Sequence, residues 1–411
     1  MKSHYKKLGT FIRKIDKRNK DLAVDNLKGL SMTKEFRDST SNIVGTDMSK
    51  YKIVEQWQFA CDFMSVIRVH AFPVVLNFDT TPVLVSPAYP VFEVLDTELL
   101  DPEYLMMWFR RSEFDRYADF KCDSAIRGGF GWEELCDVEL PIPSIEKQRE
   151  IVREYNVVND RITLNEQLTK KLEDTAQAIY KQWFVDFEFP ISKEYAISIG
   201  NPELEGKPYK SSGGEFEYCH MLDENVPVDF VRSNIGSYVK LTQGQVINAK
   251  TNHMISPAGI PLLRIQDLKS GEECVFMNKD VPKTKIAEET DIIVSRTGLV
   301  GLTFRGRKGV VHNNCFMVKS VSPNLNDDYL YHFLSSRVIS RKMEEMASGS
   351  VQPDLSHSKF QLLPIALPDK ELQAQIVDIL NRIENAVTVN KQYSKVLKKL
   401  KNIVLARMSK G

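Results

Sequence analysis

The sequence lacks the features of a secreted or membrane protein. Its six cysteines are scattered, and no C-x-x-C pair occurs among them, which argues against a structural zinc site or a disulfide framework. The first residues, MKSHYKKLGTF, contain no apolar core of signal-peptide length, and no apolar run approaches the length of a membrane span. We therefore expect a cytoplasmic protein with reduced thiols and no membrane partner.

Net charge and catalytic motifs are also missing. The 55 basic and 55 acidic side chains cancel, so the basic excess common in nucleic-acid binders is absent, although local basic surfaces are compatible with this balance. No Pro-Pro dipeptide occurs, which excludes the D/N-P-P-Y tetrad of amino-methyltransferases, and there is no G-x-x-x-x-G-K-[ST] loop. The histidines do not cluster at metal-ligand spacing, and we interpret the D-x-K of Asp267 and Lys269 as a surface turn. These absences predict a protein without catalysis, cofactor or metal of its own.

What the chain does contain is an internal repeat. A shift of 225 residues aligns Pro143–Leu172 with Pro368–Leu397 without gaps, and eleven of the thirty positions are identical, including Gln148/Gln373. The same shift pairs DPEYL with NDDYL, and KKLGTF near the N-terminus resembles SNIGSY around Gly236. Repeats dictate architecture, and this one predicts the order domain, helix, domain, helix.

The repeated segments predict two long helices, at residues 144–187 and 369–411. Apolar residues recur at steps of four and three from Ile151 and from Ile376, which is the pattern of a coiled-coil seam. About 40 residues at ~1.5 Å per residue would give a helix of roughly 60 Å. Both seams become polar at their middle, at four positions: Asn165, Thr169, Asn390 and Ser394.

These four polar residues have two interpretations. In an antiparallel helix pair, Asn165 would oppose Ser394 and Thr169 would oppose Asn390, so that a central polar layer fixes register at some cost in stability. Alternatively, the asparagines face solvent. The first helix is also apolar beyond one seam, which implies a further surface to bury against the domains or a partner protein.

The segments 1–143 and 188–368 predict two mixed α/β domains, the second preceded by a Gly-, Pro- and Ser-rich connector at 200–218. Short strands are expected within Phe72–Leu95 and within GIPLLRIQDL, DIIVSRTGLVGLTFRG and GVVHNNCFMVKSV. One helix is expected over Asp101–Phe120 and a matching helix over NDDYLYHFLSSRVISRKMEEM. The predicted fold class is therefore α+β: two homologous domains joined by two long antiparallel coiled-coil helices as a pseudo-two-fold repeat.

Several turns in both copies offer groups suited to DNA. Arginine pairs with guanine, glutamine and asparagine pair with adenine, and neighbouring glycines allow close approach to a phosphate. Each turn alone is weak because such turns are often purely structural, and a basic run is often a solvated face. The candidate DNA-binding residues are Lys17, Arg18, Ser65, Arg68, Arg127, Gln243, Gln245, Arg264, Gln266, Arg296, Thr297 and Gln352.

The chain as a whole resembles the specificity (S) subunits of type I restriction–modification systems. The resemblance is carried by YLMMWFRRSEFDRYADF, RGGFGWEELCDVELPIPSIEKQREIV, YKQWFVDFEFP, GKPYKSSGGE, DIIVSRTGLVG and GSVQPDLS. It implies two target-recognition domains, each recognising half of a split, asymmetric DNA sequence. It also implies that the helices set the spacer and dock two methyltransferase (M) subunits, which methylate adenine, followed by restriction (R) subunits. S-adenosylmethionine and ATP with Mg²⁺ would then bind the partner subunits.

Two other functions are weighed against this one. A coiled-coil adaptor without DNA recognition would explain the helices but not the duplicated, turn-rich domains. A free-standing modification enzyme conflicts with the missing methyltransferase and nucleotide motifs.

Overall fold

A computed structural model describes residues 5–39, 45–124, 129–349 and 352–410. The chain divides into two compact units. Unit 1 comprises Met1–Gln167 together with Asn390–Gly411, and unit 2 comprises Leu168–Val389. Each unit combines helices with β-sheets, so the fold class is α+β. Within the described ranges, none of the helices combines the length and the hydrophobicity that a bilayer crossing demands.

Unit 1 is built from short strands and helices, followed by the first half of a long helix. In chain order they are β1 Tyr5–Lys7, β2 Ile12–Ile15, β3 Lys28–Leu30, β4 Phe36–Asp38, β5 Lys52–Val54, β6 Gln58–Cys61, α1 Val66–Val69, β7 Val74–Leu76, β8 Val83–Val85, β9 Val91–Val94, α2 Pro102–Phe109, α3 Ser112–Ser124, α4 Trp132–Cys136, β10 Glu139–Pro141 and α5 Ile145–Phe184. A four-stranded antiparallel sheet in the order β2-β9-β6-β7 carries the main core. Buried phenylalanines such as Phe72 and Phe109 fill it, and the long helices add Tyr155 and Met408.

Unit 2 repeats this plan with additional strands. Its elements are α6 Lys193–Ser198, β11 Phe216–Cys219, β12 Glu224–Pro227, β13 Val231–Asn234, β14 Val239–Gln243, β15 Ile255–Ser256, β16 Ile260–Leu263, α7 Ile265–Ser270, β17 Phe276–Met277, β18 Ile286–Ala287, β19 Ile292–Ser295, β20 Thr303–Phe304, β21 Gly309–Val311, β22 Cys315–Ser320, α8 Asp327–Ser335, α9 Arg337–Met346, α10 His357–Gln361, β23 Pro364–Leu367 and α11 Lys370–Arg407. The sheet β14-β22-β19-β20 has the topology of the main sheet in unit 1. The five-stranded sheet β15-β17-β16-β21-β18 takes the place of the smaller pairs β3-β4 and β5-β8, so the two copies differ in their peripheral strands.

The 225-residue shift relates the helices of the two units. It superimposes the first residues of α2 and α8, of α3 and α9, of α4 and α10, and of α5 and α11. The expectation of a single helix after each four-stranded sheet was wrong, because α2 and α3 are separate, as are α8 and α9. In unit 2 the break lies at Ser336, whose extended backbone and side chain, accepting from the Ile339 N–H, form the N-cap of α9. In unit 1 it lies at Arg110 and Arg111.

A repeated glutamine joins each long helix to the domain that precedes it. Gln148 is fully buried; it accepts a hydrogen bond from the Asp101 N–H (2.9 Å) and donates to the carbonyls of Leu99 (3.0 Å) and Pro143 (2.9 Å). In unit 2, Gln373 makes the three equivalent bonds: it accepts from the Asn326 N–H and donates to the carbonyls of Asn324 and Pro368. The identity of the two glutamines in the repeat therefore reflects this junction.

A repeated glycine marks a second close contact. A Cβ on Gly9 would lie 2.7 Å from the Cβ of Cys136, and a Cβ on Gly236 would lie 2.8 Å from the Cβ of Gln361. Cys136 and Gln361 end α4 and α10, so each glycine allows a turn to pack directly against the same helix of its unit.

Within unit 1, the halves of α5 and α11 run antiparallel. Val158, Ile162 and Leu397 form one buried cluster, and the Lys401 Nζ reaches the Asn159 Oδ1 at 2.7 Å. Asn165 is 9% exposed and donates from Nδ2 to the Asn390 carbonyl and to the Ser394 Oγ, both at 2.7 Å. The structure thus brings Asn165, Asn390 and Ser394 together.

Within unit 2, the other halves of the two helices join one core. Tyr180 and Trp183 of α5 pack in the same cluster as Ile376 and Leu380 of α11. Thr169, the remaining polar seam residue, lies in this unit and is 9% exposed.

Candidate nucleic-acid interface

One edge of the main sheet in unit 1 gathers several of the predicted site residues. Strand β2 ends opposite the start of β9, and β6 ends opposite the start of β7, as the pairs Ile15↔Val91 and Cys61↔Val74 show. Because Ala60 also pairs with Val91, all four strand ends meet at this edge. We call it the strand-end surface of unit 1; the loops after β2 and β6 leave from it.

The loop after β2 carries Lys17 and Arg18. The Lys17 Nζ contacts the Glu55 Oε1 at 2.6 Å with both side chains about half exposed. Arg18 donates to the Lys50 carbonyl at 2.9 Å and pairs with Asp16 at 3.0 Å. Exposed ion pairs of this kind are weak because water screens them, so another anion can readily replace the carboxylate.

The loop after β6 contains α1 with Ser65 and Arg68. The Ser65 hydroxyl donates to the Asp62 Oδ2 at 2.6 Å and accepts from the Arg68 Nη2 at 3.0 Å. Arg68 is exposed, and its neighbours Met64 (79% exposed) and Ile67 (54% exposed) are unusually open for apolar residues. This loop therefore exposes a cation and two apolar side chains within five residues of one another in the sequence.

Lys52 adds positive charge to the same region. It is partly buried on β5 and donates to the Tyr89 carbonyl at 3.0 Å. Burial lowers the pKa of Lys52, Asp16 opposes that shift, and the cations Arg18 and Lys14 add to it. Lys52, Arg18 and Lys14 therefore lie close enough to repel one another, and such a concentration of positive charge is expected of a surface that binds phosphate.

Unit 2 presents the equivalent edge, which we call its strand-end surface. The pairs Gln243↔Phe316 and Ser295↔Cys315 place the ends of β14 and β19 beside the start of β22. Gln243 is the last residue of β14, which corresponds to β2, the strand before Lys17 in unit 1. Arg296 follows β19, which corresponds to β6, the strand before the loop that carries Arg68. The structure brings Gln243 and Arg296 into contact, since the Arg296 Nη1 donates to the Gln243 Oε1 at 2.8 Å.

Arg296 and Thr297 are held by Asp354, which the sequence analysis did not identify. Arg296 donates from Nε and Nη2 to the two Asp354 oxygens at 2.9 and 2.8 Å, and the Thr297 hydroxyl donates to Oδ1 at 2.8 Å. Hydrogen bonding from Arg296 lowers the pKa of Asp354 despite some burial. The repeat offered no signal for Asp354, because the matching position in the first copy is Gly129.

Arg264 and Gln266 lie where β16 enters α7. Arg264 pairs with Asp267 through Nε (2.7 Å) and Nη2 (2.9 Å), and Asp267 is 2% exposed. The interpretation of the Asp267 segment as a surface turn was therefore wrong; it is a helix start whose carboxylate is buried in an ion pair. With its amide oxygen directed at Arg264, the exposed Gln266 accepts from Nη1 at 3.2 Å and from Nη2 at 2.9 Å.

The remaining candidates differ in accessibility. Gln245 is 7% exposed and its Nε2 donates to the Val246 carbonyl at 2.9 Å, so its side chain is turned inward. Gln352 is exposed. Arg127, which the repeat matches to Gln352, lies outside the described residues.

Comparison with protein families gives one match to a defined domain. A family model described as the type I restriction modification DNA specificity domain matches residues 227–399. The match covers most of unit 2 and runs into the C-terminal helix.

Two curated relatives extend the likeness over most of the chain. The type I restriction enzyme MjaIX specificity subunit of Methanocaldococcus jannaschii is 24% identical over 326 residues, which cover 75% of this chain and 68% of the relative. The type I restriction enzyme HindI specificity subunit of Haemophilus influenzae is 24% identical over 381 residues, which cover 80% of this chain and 81% of the relative.

Two solved structures share the fold. The S subunit of the type I restriction–modification system from M. genitalium matches with a TM-score of 0.56 and 11% identity, covering 98% of this chain and 95% of that one. A chain from a study of complex assembly and conformational transition of the type I R-M system matches with a TM-score of 0.50 and 17% identity, covering 98% and 96%. At these identities the likeness concerns the fold alone.

Proposed function

We propose that the chain is a type I restriction–modification specificity subunit and that its two units each recognise one half of a split DNA target; the match of residues 227–399 to the specificity domain and the likeness to two curated specificity subunits support this. The observation that carries this proposal is that each unit has a four-stranded sheet of the same topology, with polar loops at the corresponding edge. The side chains on those loops differ between the copies, so the two half-sites differ and the target is asymmetric.

In unit 1 we assign phosphate contacts and base contacts to different residues. Lys17, Arg18 and Lys52 form a cationic group whose pairs with acids are exposed or long, which suits exchange for DNA phosphates. Arg68 is an exposed residue of α1 and is the proposed base contact, with guanine as its preferred partner.

In unit 2 the hydrogen bonds separate contacting residues from positioning residues. Arg296 already donates to Asp354 and Gln243, so we propose that it positions Asp354. Thr297 and Gln243 share these hydrogen bonds, and the Gln245 side chain is turned inward, so we propose no base contact for these three residues. Gln266 and Gln352 are exposed and are the proposed base contacts; because the Gln266 oxygen faces Arg264, its amide N–H groups remain for a base acceptor.

The proposed partners are two methyltransferase subunits and then restriction subunits, which bind S-adenosylmethionine and ATP with Mg²⁺. Support comes from an apolar stripe on α11 within unit 1. Tyr393, Val396, Leu400 and Ile403 recur at steps of three and four, and all are at least 41% exposed. A helix surface of this kind favours docking of another protein. The polar group of Asn165, Asn390 and Ser394 would fix the register of the helices that set the spacer.

The deciding experiment is sequencing of methylated adenines in cells that express the chain with its methyltransferase partner. Arg68→Ala should relax one half of the motif and Gln266→Ala the other, because each loses a contact worth about 1–3 kcal/mol. Arg149→Ala and Gln182→Ala remove side chains of the same types from α5, where Arg149 is partly exposed and Gln182 is exposed, and serve as matched controls. Unchanged motifs in both test variants would remove these two residues from the interface.

A binding assay separates this function from that of an adaptor. With the methyltransferase subunits present, DNA carrying the split motif should bind in a salt-dependent manner and more tightly than DNA with one half scrambled. Equal binding of both duplexes would favour a coiled-coil adaptor without sequence recognition.

A further inference from the structure

An open-sided cavity of about 430 Å³ lies in unit 1, and none of its residues belongs to the strand-end surface. Strands β1 and β10, the α2–α3 junction and the segment after α11 surround it. Its lining residues are Tyr5, Trp108, Arg111, Glu113, Phe114, Tyr117, Asp137, Val138, Glu139 and Ser409.

Two buried donors in this cavity have no acceptor among the residues that the structure describes. They are the Arg111 Nε and the Trp108 Nε1. Arg111 is 7% exposed, its guanidinium lies 4.3 Å from the Trp108 ring, and its nearest carboxylate, Glu113, is 3.7 Å from Nε. Each of these two buried N–H groups costs free energy while it lacks an acceptor, and an incoming acceptor would recover that free energy.

The matching position in unit 2 is satisfied internally. The 225-residue shift relates Arg111 to Ser336 and Trp108 to Phe333. The Ser336 hydroxyl donates to the Phe333 carbonyl at 2.8 Å and accepts from the Ile339 N–H at 3.4 Å. The guanidinium and the indole N–H therefore have no counterpart at these positions of unit 2.

The rim of the cavity restricts which acceptor can enter. Glu113, Asp137 and Glu139 lie at its edge; Asp137 pairs with Lys7 at 2.8 Å, and Glu113 lies 3.7 Å from the Arg111 Nε. Burial, followed by the carboxylates of Asp137, Glu134 and Glu139, raises the pKa of Tyr117. The acidic side chains at the edge of the cavity repel polyanions. A single carboxylate on a narrow apolar group can reach the interior, where its attraction to the guanidinium is less screened by solvent.

We propose that this cavity is a binding site for one carboxylate carried on an aromatic or aliphatic stem. The Arg111 guanidinium and the Trp108 indole N–H hold the carboxylate as charge-assisted donors. The rings of Tyr5, Phe114 and Tyr117 pack against the stem. The carboxylate comes either from a free small molecule or from an acidic side chain of a partner polypeptide.

The test uses the full chain labelled with 5-fluorotryptophan, whose four tryptophans give separate fluorine resonances. Trp108→Phe assigns the relevant signal. Benzoate should shift the Trp108 resonance saturably and leave the other three in place. Benzamide, which has the same shape without the charge, and sulfate, a dianion, should produce no saturable shift.

Variants identify the donor. Arg111→Met should weaken benzoate binding about tenfold or more, because it removes a charged hydrogen bond. The adjacent Arg110→Met is the matched control and should bind benzoate normally. Glu113→Gln removes the competing carboxylate of an exposed residue and should tighten binding, which keeps the test informative even if the buried variant folds poorly. Equal shifts with benzoate and benzamide, or normal binding by Arg111→Met, would overturn the assignment.

A second titration, in the complex with methyltransferase subunits, identifies the source. A Trp108 signal already at its benzoate-bound position assigns the carboxylate to a partner side chain. A signal that still titrates with benzoate assigns the site to a free carboxylate. The titration of the chain alone does not depend on DNA recognition, so it fails or succeeds independently of the proposed function.

Discussion

Replacing Gln148 by methionine should weaken unit 1 by breaking its junction with α5. Methionine keeps most of the side-chain volume, but its thioether cannot donate and is a poor acceptor. The substitution therefore removes the bond from the Asp101 N–H and the two bonds to the carbonyls of Leu99 and Pro143.

The structure sets the size of this effect. Gln148 is 0% exposed, so water cannot replace the amide while methionine fills its space. An unsatisfied buried donor costs about 1–3 kcal/mol, and a carbonyl that keeps a second lone-pair partner costs less. We expect the free energy of unfolding of unit 1 to fall by about 3 kcal/mol. The Asp101 side chain also caps α2, so the first turn of that helix should fray with it.

Hydrogen exchange is the suitable assay because a chain of two units need not unfold in one step. In Gln148→Met, exchange should accelerate at the Asp101 amide and through α2, with unit 2 unchanged. Gln373→Met should produce the mirror result at the Asn326 amide in unit 2. Gln167→Met is the matched control, since Gln167 is also a repeated glutamine but is exposed. A loss below about 0.5 kcal/mol, within the range of ordinary surface substitutions, would refute the reasoning.

Three further predictions follow from single contacts. Gly236→Ala should lower the melting temperature of unit 2 in calorimetry, because its Cβ would lie 2.8 Å from Gln361; an unchanged melt would show that α10 can shift freely. Burial lowers the pKa of His332, so near neutral pH and below the unfolded state binds more protons than the folded state. The free energy of unfolding of unit 2 should therefore fall as the pH drops below about 6.5. His332→Gln should make that dependence on pH weaker in denaturant titrations. Lys17→Ala should reduce the slope of log binding constant against log salt by about one, as measured by fluorescence anisotropy with DNA; an unchanged slope would mean that Lys17 contacts no phosphate.

The repeating elements were predictable from the sequence because their patterns are local. The heptad steps predicted helices at 144–187 and 369–411, and the structure has them at Ile145–Phe184 and Lys370–Arg407. The Val-rich segments became β7, β8 and β9. The break at Ser336 was missed, because serine is tolerated inside helices and acts as a cap only when the preceding backbone is extended.

The role of the predicted site residues in DNA binding stays a prediction. Several of the chosen turns lie at strand ends of the two main sheets, whereas Arg264 and Gln266 lie at the end of β16 in the five-stranded sheet. Whether each side chain is available for DNA depends on neighbours distant in the chain. Asp354 binds Arg296, 58 positions earlier in the chain, and the buried Gln245 forms a β-bridge with His312.

The sequence by itself determined the duplication, the seam of the long helices, and the absence of the D/N-P-P-Y and G-x-x-x-x-G-K-[ST] motifs. These are periodic or local patterns, so the order of residues along the chain is enough to recognise them. Only the tertiary structure decided which polar groups are already paired and which still need a partner. Hydrogen bonding is a matter of a few tenths of an ångström between residues far apart in the chain. For that reason Gln148 and Gln373 proved to be junctions, and Arg111 and Trp108 proved to be donors with no acceptor among the described residues.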